Sequence, residues 1–192
     1  DIFSLRRLLA LPSEESYNYY QGGTVFILRL HTGDYHHLHF PIDGTVADYK
    51  SYPGFTSHMP VWFVGAGRHL AMSTQTTLHP ISKNKRTHLL IQSKEFGCVA
   101  QVAVGVHNVG TAVHMAYEGQ KVVKGMEHGF FMYGGSTIVL IFPPGIEVSS
   151  TILTKSEFDI NSVVQVGDVL GHIPKPLRDS DSPHNPCTLS QL

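Results

Sequence analysis

The feature that most constrains this chain is a succession of short apolar runs separated by glycine turns. Thr24–Leu30, Thr45–Tyr49, Thr87–Gln92, Cys98–Val104, Thr111–Ala116 and the run ending at Phe142 are rich in Val, Ile, Phe and Thr. Gly22-Gly23, Glu95-Phe96-Gly97 and Gly105 punctuate them. Runs of this length and composition form strands. At this spacing they imply an antiparallel domain, not a βαβ array. The expected class is α+β, mainly antiparallel β, with a barrel-sandwich-like core and a few short helices. Ser4 caps a short amphipathic helix that Pro12 stops. Ser13–Tyr20 reads as a loop, and 55–83 as a long loop with one short strand near Trp62-Phe63.

Composition narrows the function classes. A chain of 192 residues with 42% hydrophobic content supports one packed domain and is not a disordered chain. The net charge of −1 gives no basic footprint for nucleic acid. No apolar stretch reaches the ~20 residues that span a bilayer, and Asp1–Pro12 lacks a signal-peptide pattern. Starting on a helix-like segment without Met reads as a processed chain or a fragment. Residues 1–173 are expected to form the domain and 174–192 a disordered tail, because Pro, Ser, Asp and Asn dominate there. The two cysteines, Cys98 in a strand-like run and Cys187 in the tail, suggest neither a disulfide framework nor a zinc signature. Cys98 reads as a buried, inert thiol, and a reducing compartment is compatible with this usage.

The compositional anomaly is histidine, with 13 copies. His titrates near neutrality and serves as base or metal ligand. His36, His37 and His39 cluster after Asp34-Tyr35. Extended backbone puts His37 and His39 on one face and His36 on the other, whereas a tight turn lets His36 and His39 converge. A metal centre needs further ligands; His58, His69 and His79 are available, but nothing in their spacing selects them, and no metal is expected. Asn84-Lys85-Arg86 reads as a solvated charged corner, and Lys121, Lys124 and Glu127 as exposed charges near turns. Gly134-Gly135-Ser136-Thr137 is a flexible turn that hands a hydroxyl into a β-rich run, a setting in which serine can be presented to chemistry. A weak echo relates Glu118–Gly125 to Val164–Gly171. Its spacing looks like the half-motifs of biotinyl and lipoyl carriers, but neither copy has the flanked Lys of a carrier.

Taken together, D-Y-H-H-L-H-F-P-I-D-G, N-K-R-T-H-L-L-I, F-G-C-V-A-Q-V-A-V-G, V-K-G-M-E-H-G-F-F-M-Y-G-G-S-T-I-V-L-I-F and V-G-D-V-L-G resemble phosphatidylserine decarboxylases, in that family's order, across residues 1–171. The G-G-S-T form resembles the type II branch. The resemblance implies self-cleavage at Gly135-Ser136, giving a β chain ending at Gly135 and an α chain whose residue 136 becomes a pyruvoyl cofactor. His39 matches the processing base and His36 the histidine of the decarboxylation step. The pyruvoyl ketone would condense with the substrate amine and draw off the electrons released with CO2. The resemblance also implies a phospholipid substrate, peripheral contact with an intracellular membrane, and a homodimer of αβ units.

Three departures accompany it. His37 stands where the family has Arg. The V-N-P segment after the Tyr52-Pro53-Gly54 turn is not recognisable. The family's processing Asp belongs upstream of the first matched helix, and neither Asp34 nor Asp43 sits in its motif. Two other readings stay open: decarboxylation of a free amino acid such as tryptophan on the same architecture, and a non-catalytic homologue.

Overall fold

The computed structural model describes residues 5–31, 33–55, 81–105, 112–132, 136–158, 160–174 and 185–189. Its frame is a six-stranded antiparallel sheet built from β1 (Thr24–Leu30), β3 (Gly44–Tyr52), β4 (Arg86–Ser93), β5 (Gly97–Gly105), β7 (Lys121–Val122) and β9 (Ser136–Phe142), in the order β1-β9-β5-β4-β3-β7. The strands are where the apolar runs predict them. β5 and β9 are buried along their whole length, as strands covered on both faces must be. Gly97 closes the β4–β5 hairpin at φ 68°. A Cβ there would lie 2.2 Å from the Tyr19 hydroxyl, which accepts no such intrusion because it receives the Cys98 N–H at 2.9 Å.

Each face of this sheet carries its own core. On one face Leu90, Cys98, Ala100, Val102, Val104, Val139 and Ile141 pack beneath the short helices α1 (Leu5–Leu9) and α2 (Glu14–Asn18). α2 replaces the loop expected at 13–20: Ser13 accepts the Ser16 N–H as an N-cap. The end of α1 is held from below. Arg86 donates through Nε to the Leu8 carbonyl at 2.8 Å and through its other arm to the Arg7 carbonyl. His88 Nδ1 and the Tyr52 hydroxyl both donate to the Leu9 carbonyl, at 2.8 and 3.0 Å. Terminal helix carbonyls have no partner within the helix and carry partial negative charge, so cationic donors suit them. The expectation of a solvated corner at Asn84-Lys85-Arg86 is thereby corrected: Asn84 and Arg86 are buried, and only Lys85 is exposed.

The cysteine readings are corrected too. Cys98 and Cys187 form a disulfide, 89 residues apart. Cys187 sits in a short helix, α4 (Pro186–Leu189), inside the segment expected to be a disordered tail. Asn185 and Cys187 are buried there, and the Asn185 amide donates to Gln92 at 2.9 Å. Sequence spacing gives no hint of this pairing, because the fold alone brings the tail under the sheet.

On the opposite face lies a three-stranded antiparallel sheet, β2 (His37–His39), β8 (Glu127–Phe131) and β6 (Ala112–His114), in the order β2-β8-β6. Phe26, Leu38, Phe40, Leu89, Ile138, Leu140 and Phe142 fill the space between the sheets. Gly129 lets β6 approach, since a Cβ there would meet the Val113 carbonyl at 2.3 Å. A helix α3 (Ser150–Glu157) and the small pair β10 (Glu147–Val148) and β11 (Gly171–His172) follow β9. The sheets stack as an open sandwich and do not close into a barrel. The segments at Trp62-Phe63, His58, His69 and His79 lie outside the described residues. No helix among those described is long and apolar enough to cross a membrane.

Candidate functional site

Ser136 is the first residue of β9 and lies between two other strands, paired with Leu30 of β1 and Gly105 of β5. Side chains alternate across a strand, so Ser136 shares a face with Ile138, Leu140 and Phe142. All three of those belong to the core beneath the three-stranded sheet. The hydroxyl therefore points toward the histidine-bearing sheet, not toward the helices. It is 3% exposed, and its Oγ has no hydrogen-bond partner among the described residues. An orphaned buried hydroxyl costs about 1–3 kcal/mol, and such a group in a native fold calls for an explanation. Gly134 and Gly135 lie outside the described residues.

The histidine cluster forms at the other sheet's edge. His37 and His39 share a face, as the extended reading predicts, and the Tyr35 ring stacks on both, at 4.9 and 5.7 Å between centroids. His39 has a defined tautomer. Its Nδ1 lies 2.7 Å from the Gly125 carbonyl, which can only accept, so Nδ1 carries the hydrogen. Nε2 is then the basic nitrogen, and it accepts the Tyr35 hydroxyl at 2.8 Å. His37 Nδ1 pairs with Glu127 at 2.6 Å, and this hydrogen bond holds the Glu127 carboxyl below its usual range. Glu127 is exposed, as the sequence predicts, and is engaged by His37 as well. His36 donates from Nδ1 to the Asp34 carbonyl at 2.6 Å, and its own carbonyl accepts the Phe131 N–H at 2.9 Å.

Both routes into Ser136 pass this cluster. β1 ends at Leu30 opposite Ser136 and runs into the histidine segment; β8 ends at Phe131, bonded to His36, and leads toward Ser136. The imidazoles themselves are not on the hydroxyl. The His39 carbonyl is held at 3.2 Å by the amide of Gln101, which pairs with Leu140. Four residues, about 13 Å of strand, separate that rung from Ser136. Among the described residues no group of three or more His, Cys, Asp or Glu converges as a metal site.

One buried feature escaped the sequence reading. His114 and His128 stack between the two sheets, 5.7 Å apart with planes inclined by 22°. Gln101 bonds outward to the His39 carbonyl through its NH2, so its oxygen faces His128 Nε2, which must be the protonated nitrogen, at 3.0 Å. His128 Nδ1 and both nitrogens of His114 are buried without hydrogen-bond partners among the described residues. Burial pushes both rings down to about 4, so they are neutral at physiological pH. The only sequence signal would have been period-two placement of two histidines in strands expected to face a core.

The described residues thus form an open α+β sandwich with an unpartnered serine at a strand head and a tyrosine-braced histidine cluster on the second sheet, which the structure does not bring into contact. Comparison with known proteins assigns the lineage. The family described as Phosphatidylserine decarboxylase matches residues 1–172, and the chain belongs to that family. It is 35% identical over 177 residues to phosphatidylserine decarboxylase proenzyme 2 of Komagataella phaffii, covering 90% of this chain and 16% of that protein. It is 33% identical over 173 residues to the phosphatidylserine decarboxylase proenzyme of Clostridium perfringens strain SM101, covering 88% of this chain and 54% of that one. A Chlamydia muridarum proenzyme of the same name is 36% identical over 143 residues, 74% of this chain and 44% of its own length. The chain thus spans about half the length, or less, of these curated relatives.

Proposed function

We propose that this chain is the catalytic unit of a pyruvoyl-dependent phosphatidylserine decarboxylase that cuts itself between Gly135 and Ser136. The observation that carries this reading is the Ser136 hydroxyl: buried, without a partner, and at the head of a strand whose face looks onto the histidine sheet. Family membership agrees with it, and the relatives are named proenzymes. In the proposed self-cleavage, Oγ attacks the Gly135 carbonyl carbon, the C–N bond to Ser136 breaks, and an ester results. Loss of the α-hydrogen eliminates the Gly135 carboxylate, and water converts the remaining dehydroalanine to a pyruvoyl group with release of ammonia. The described surroundings of Ser136 fit such a group, because no hydrogen bond has to be broken to change the hydroxyl.

His39 is assigned as the base for the first step. Its Nδ1 is anchored on Gly125 and its Nε2 accepts from Tyr35 on the side of β2 opposite the buried Leu38, so the assignment requires release from Tyr35 and a rearrangement of this sheet edge that brings the ring to Ser136. Catalytic contacts are often open in resting structures and tighten with reaction. His36, fixed through Asp34 and Phe131, is assigned to proton handling during decarboxylation. A pyruvoyl ketone supplies an electron sink when formed; the chain's own residues position the substrate carboxylate and deliver the proton that replaces CO2. The product of phosphatidylserine would be phosphatidylethanolamine. Peripheral membrane contact and a homodimer of processed units belong to the same proposal, as does a domain spanning residues 1–173 to which the 185–189 segment is fastened by Cys98–Cys187.

The test is mass spectrometry on the reduced wild-type chain and Ser136→Ala, with Cys98–Cys187 opened, together with CO2 release from phosphatidylserine vesicles and from free serine and tryptophan. Cleavage and lipid-dependent CO2 release in wild type, both absent in Ser136→Ala, are expected. Release from free amino acids alone would overturn the lipid assignment.

A further inference from the structure

A cleft opens beside the candidate centre, with a volume of about 190 Å3, lined by Ser51, Lys85, Thr87, Ala103, Gly105 and Ala112 together with Arg86. We propose that it binds the phosphodiester of the substrate head group, so that the amine and carboxylate of the serine moiety fall at residue 136. The proposal rests on the decarboxylase reading above and adds the site that tells a serine phospholipid from a free amino acid.

Position is the first argument. Gly105 pairs directly with Ser136, and Arg86, at the start of β4, pairs with Val104. Adjacent strands lie about 4.8 Å apart, so the backbone at Lys85 is roughly 10 Å from that at residue 136. In a phosphoserine head group the amine nitrogen and the phosphorus are four bonds apart, about 5 Å. A lysine side chain of similar reach closes the remainder. A head group seated with its amine at residue 136 therefore delivers its phosphate to Lys85.

Chemistry is the second. Lys85 is exposed, and among the described residues it makes no salt bridge and no carboxylate lines the cleft. Arg86 adds positive charge without competing for the ligand, since its guanidinium is turned to the Arg7, Leu8 and Asn84 carbonyls. The Ser51 and Thr87 hydroxyls lie 2.9 Å apart. One proton bridges them, which leaves the second hydroxyl's proton to be donated outward. The backbone is already satisfied, with Gly105 N–H on the Lys85 carbonyl and Gly105 O on the Asn84 amide. Ala103 and Ala112 keep the cleft open. Its donors are thus one ammonium and one hydroxyl, a set suited to an anionic oxygen.

The experiment titrates glycerophosphoserine and, separately, inorganic phosphate into the wild-type chain, Lys85→Met, Thr87→Val and Lys83→Met by calorimetry. Lys83→Met removes the same charge from an exposed neighbouring position. The expected result is a rise on the order of tenfold in the glycerophosphoserine Kd for Lys85→Met, as for loss of a charge-assisted hydrogen bond. A smaller rise is expected for Thr87→Val and at most about twofold for Lys83→Met. Equal effects of the two lysines, or none, overturn the proposal. So does Lys85-dependent binding of phosphate without glycerophosphoserine, which would mark a free-anion site. With phosphatidylserine vesicles, Lys85→Met should raise KM with kcat and self-cleavage unchanged. An unchanged KM in an active enzyme overturns this inference and leaves the decarboxylase reading intact. Lys85-dependent binding in a chain that neither cleaves nor decarboxylates does the reverse.

Discussion

Lowering the pH from 7 to 5 should destabilise this protein through two specific rings, His114 and His128. Both lie between the sheets, and burial depresses both to about 4 in the folded state, against 6.5 for an unperturbed His. Because the folded values are depressed, the stabilisation is fully present above pH 6.5. It is lost as pH falls toward 4, where the unfolded chain binds protons that the folded chain refuses. Between pH 7 and 5 each ring contributes about 1.8 kcal/mol of this loss, and the pair close to 4 kcal/mol. For a chain of this size that corresponds to roughly 8 to 15 °C in Tm. The carboxylates do not produce the same effect. Asp48 is held down by its hydrogen bond from His88 and titrates below this window, as does Glu127 through His37. The assay is thermal unfolding at half-unit pH steps in wild type and His114→Phe. Phe keeps the ring against Tyr49, 5.4 Å away, and removes two buried nitrogens without hydrogen-bond partners. The variant should lose about half of the pH slope and be at least as stable as wild type at pH 5. Identical slopes in the two proteins would show that the histidine pair is not what titrates.

Other outcomes follow from the same geometry. In the uncleaved Ser136→Ala chain, reduction of Cys98–Cys187, or Cys187→Ser, reopens a loop of 89 residues and should cost up to about 4.5 kcal/mol in denaturant titrations on the chain-entropy scale; an unchanged midpoint would mean that the bond does not form in solution. Arg86→Met strips the donors from the Arg7 and Leu8 carbonyls and should cost on the order of 3 kcal/mol, read in the same titration. His39→Ala should block cleavage, whereas His36→Ala should permit cleavage and depress CO2 release at least a hundredfold. Normal maturation of His39→Ala refutes the assignment of the base. Tyr35→Phe takes the hydroxyl off His39 Nε2 and should speed cleavage about fivefold, the equivalent of one neutral hydrogen bond.

The frame was legible because its signals are local. Alternation and glycine punctuation locate β1, β3, β4, β5 and β9 to within three residues, and the Ser13 cap of α2 is a local signal of the same kind. What escaped depends on contacts between residues far apart in the chain. Arg86 reads as a surface charge until α1 is placed over it, 78 positions away, and Cys98 reads as a free thiol until α4 folds beneath the sheet. The site divides in the same way. Ser136 and the face shared by His37 and His39 follow from motif and period. The tautomer of His39 does not, because it is set by the Gly125 carbonyl and the Tyr35 hydroxyl. Nor does the Gln101 link between His128 and the His39 carbonyl, which spans both sheets.

The most direct measurement of the central claim is the intact mass of the purified chain, with sequencing from its new N-terminus. Once Cys98–Cys187, which links the two products, has been reduced, the account predicts two polypeptides, residues 1–135 and 136–192, the second blocked to Edman degradation by a pyruvoyl group and unblocked by reductive amination. A single unbroken chain of 21.2 kDa, or a second polypeptide that begins with an ordinary serine, would contradict it.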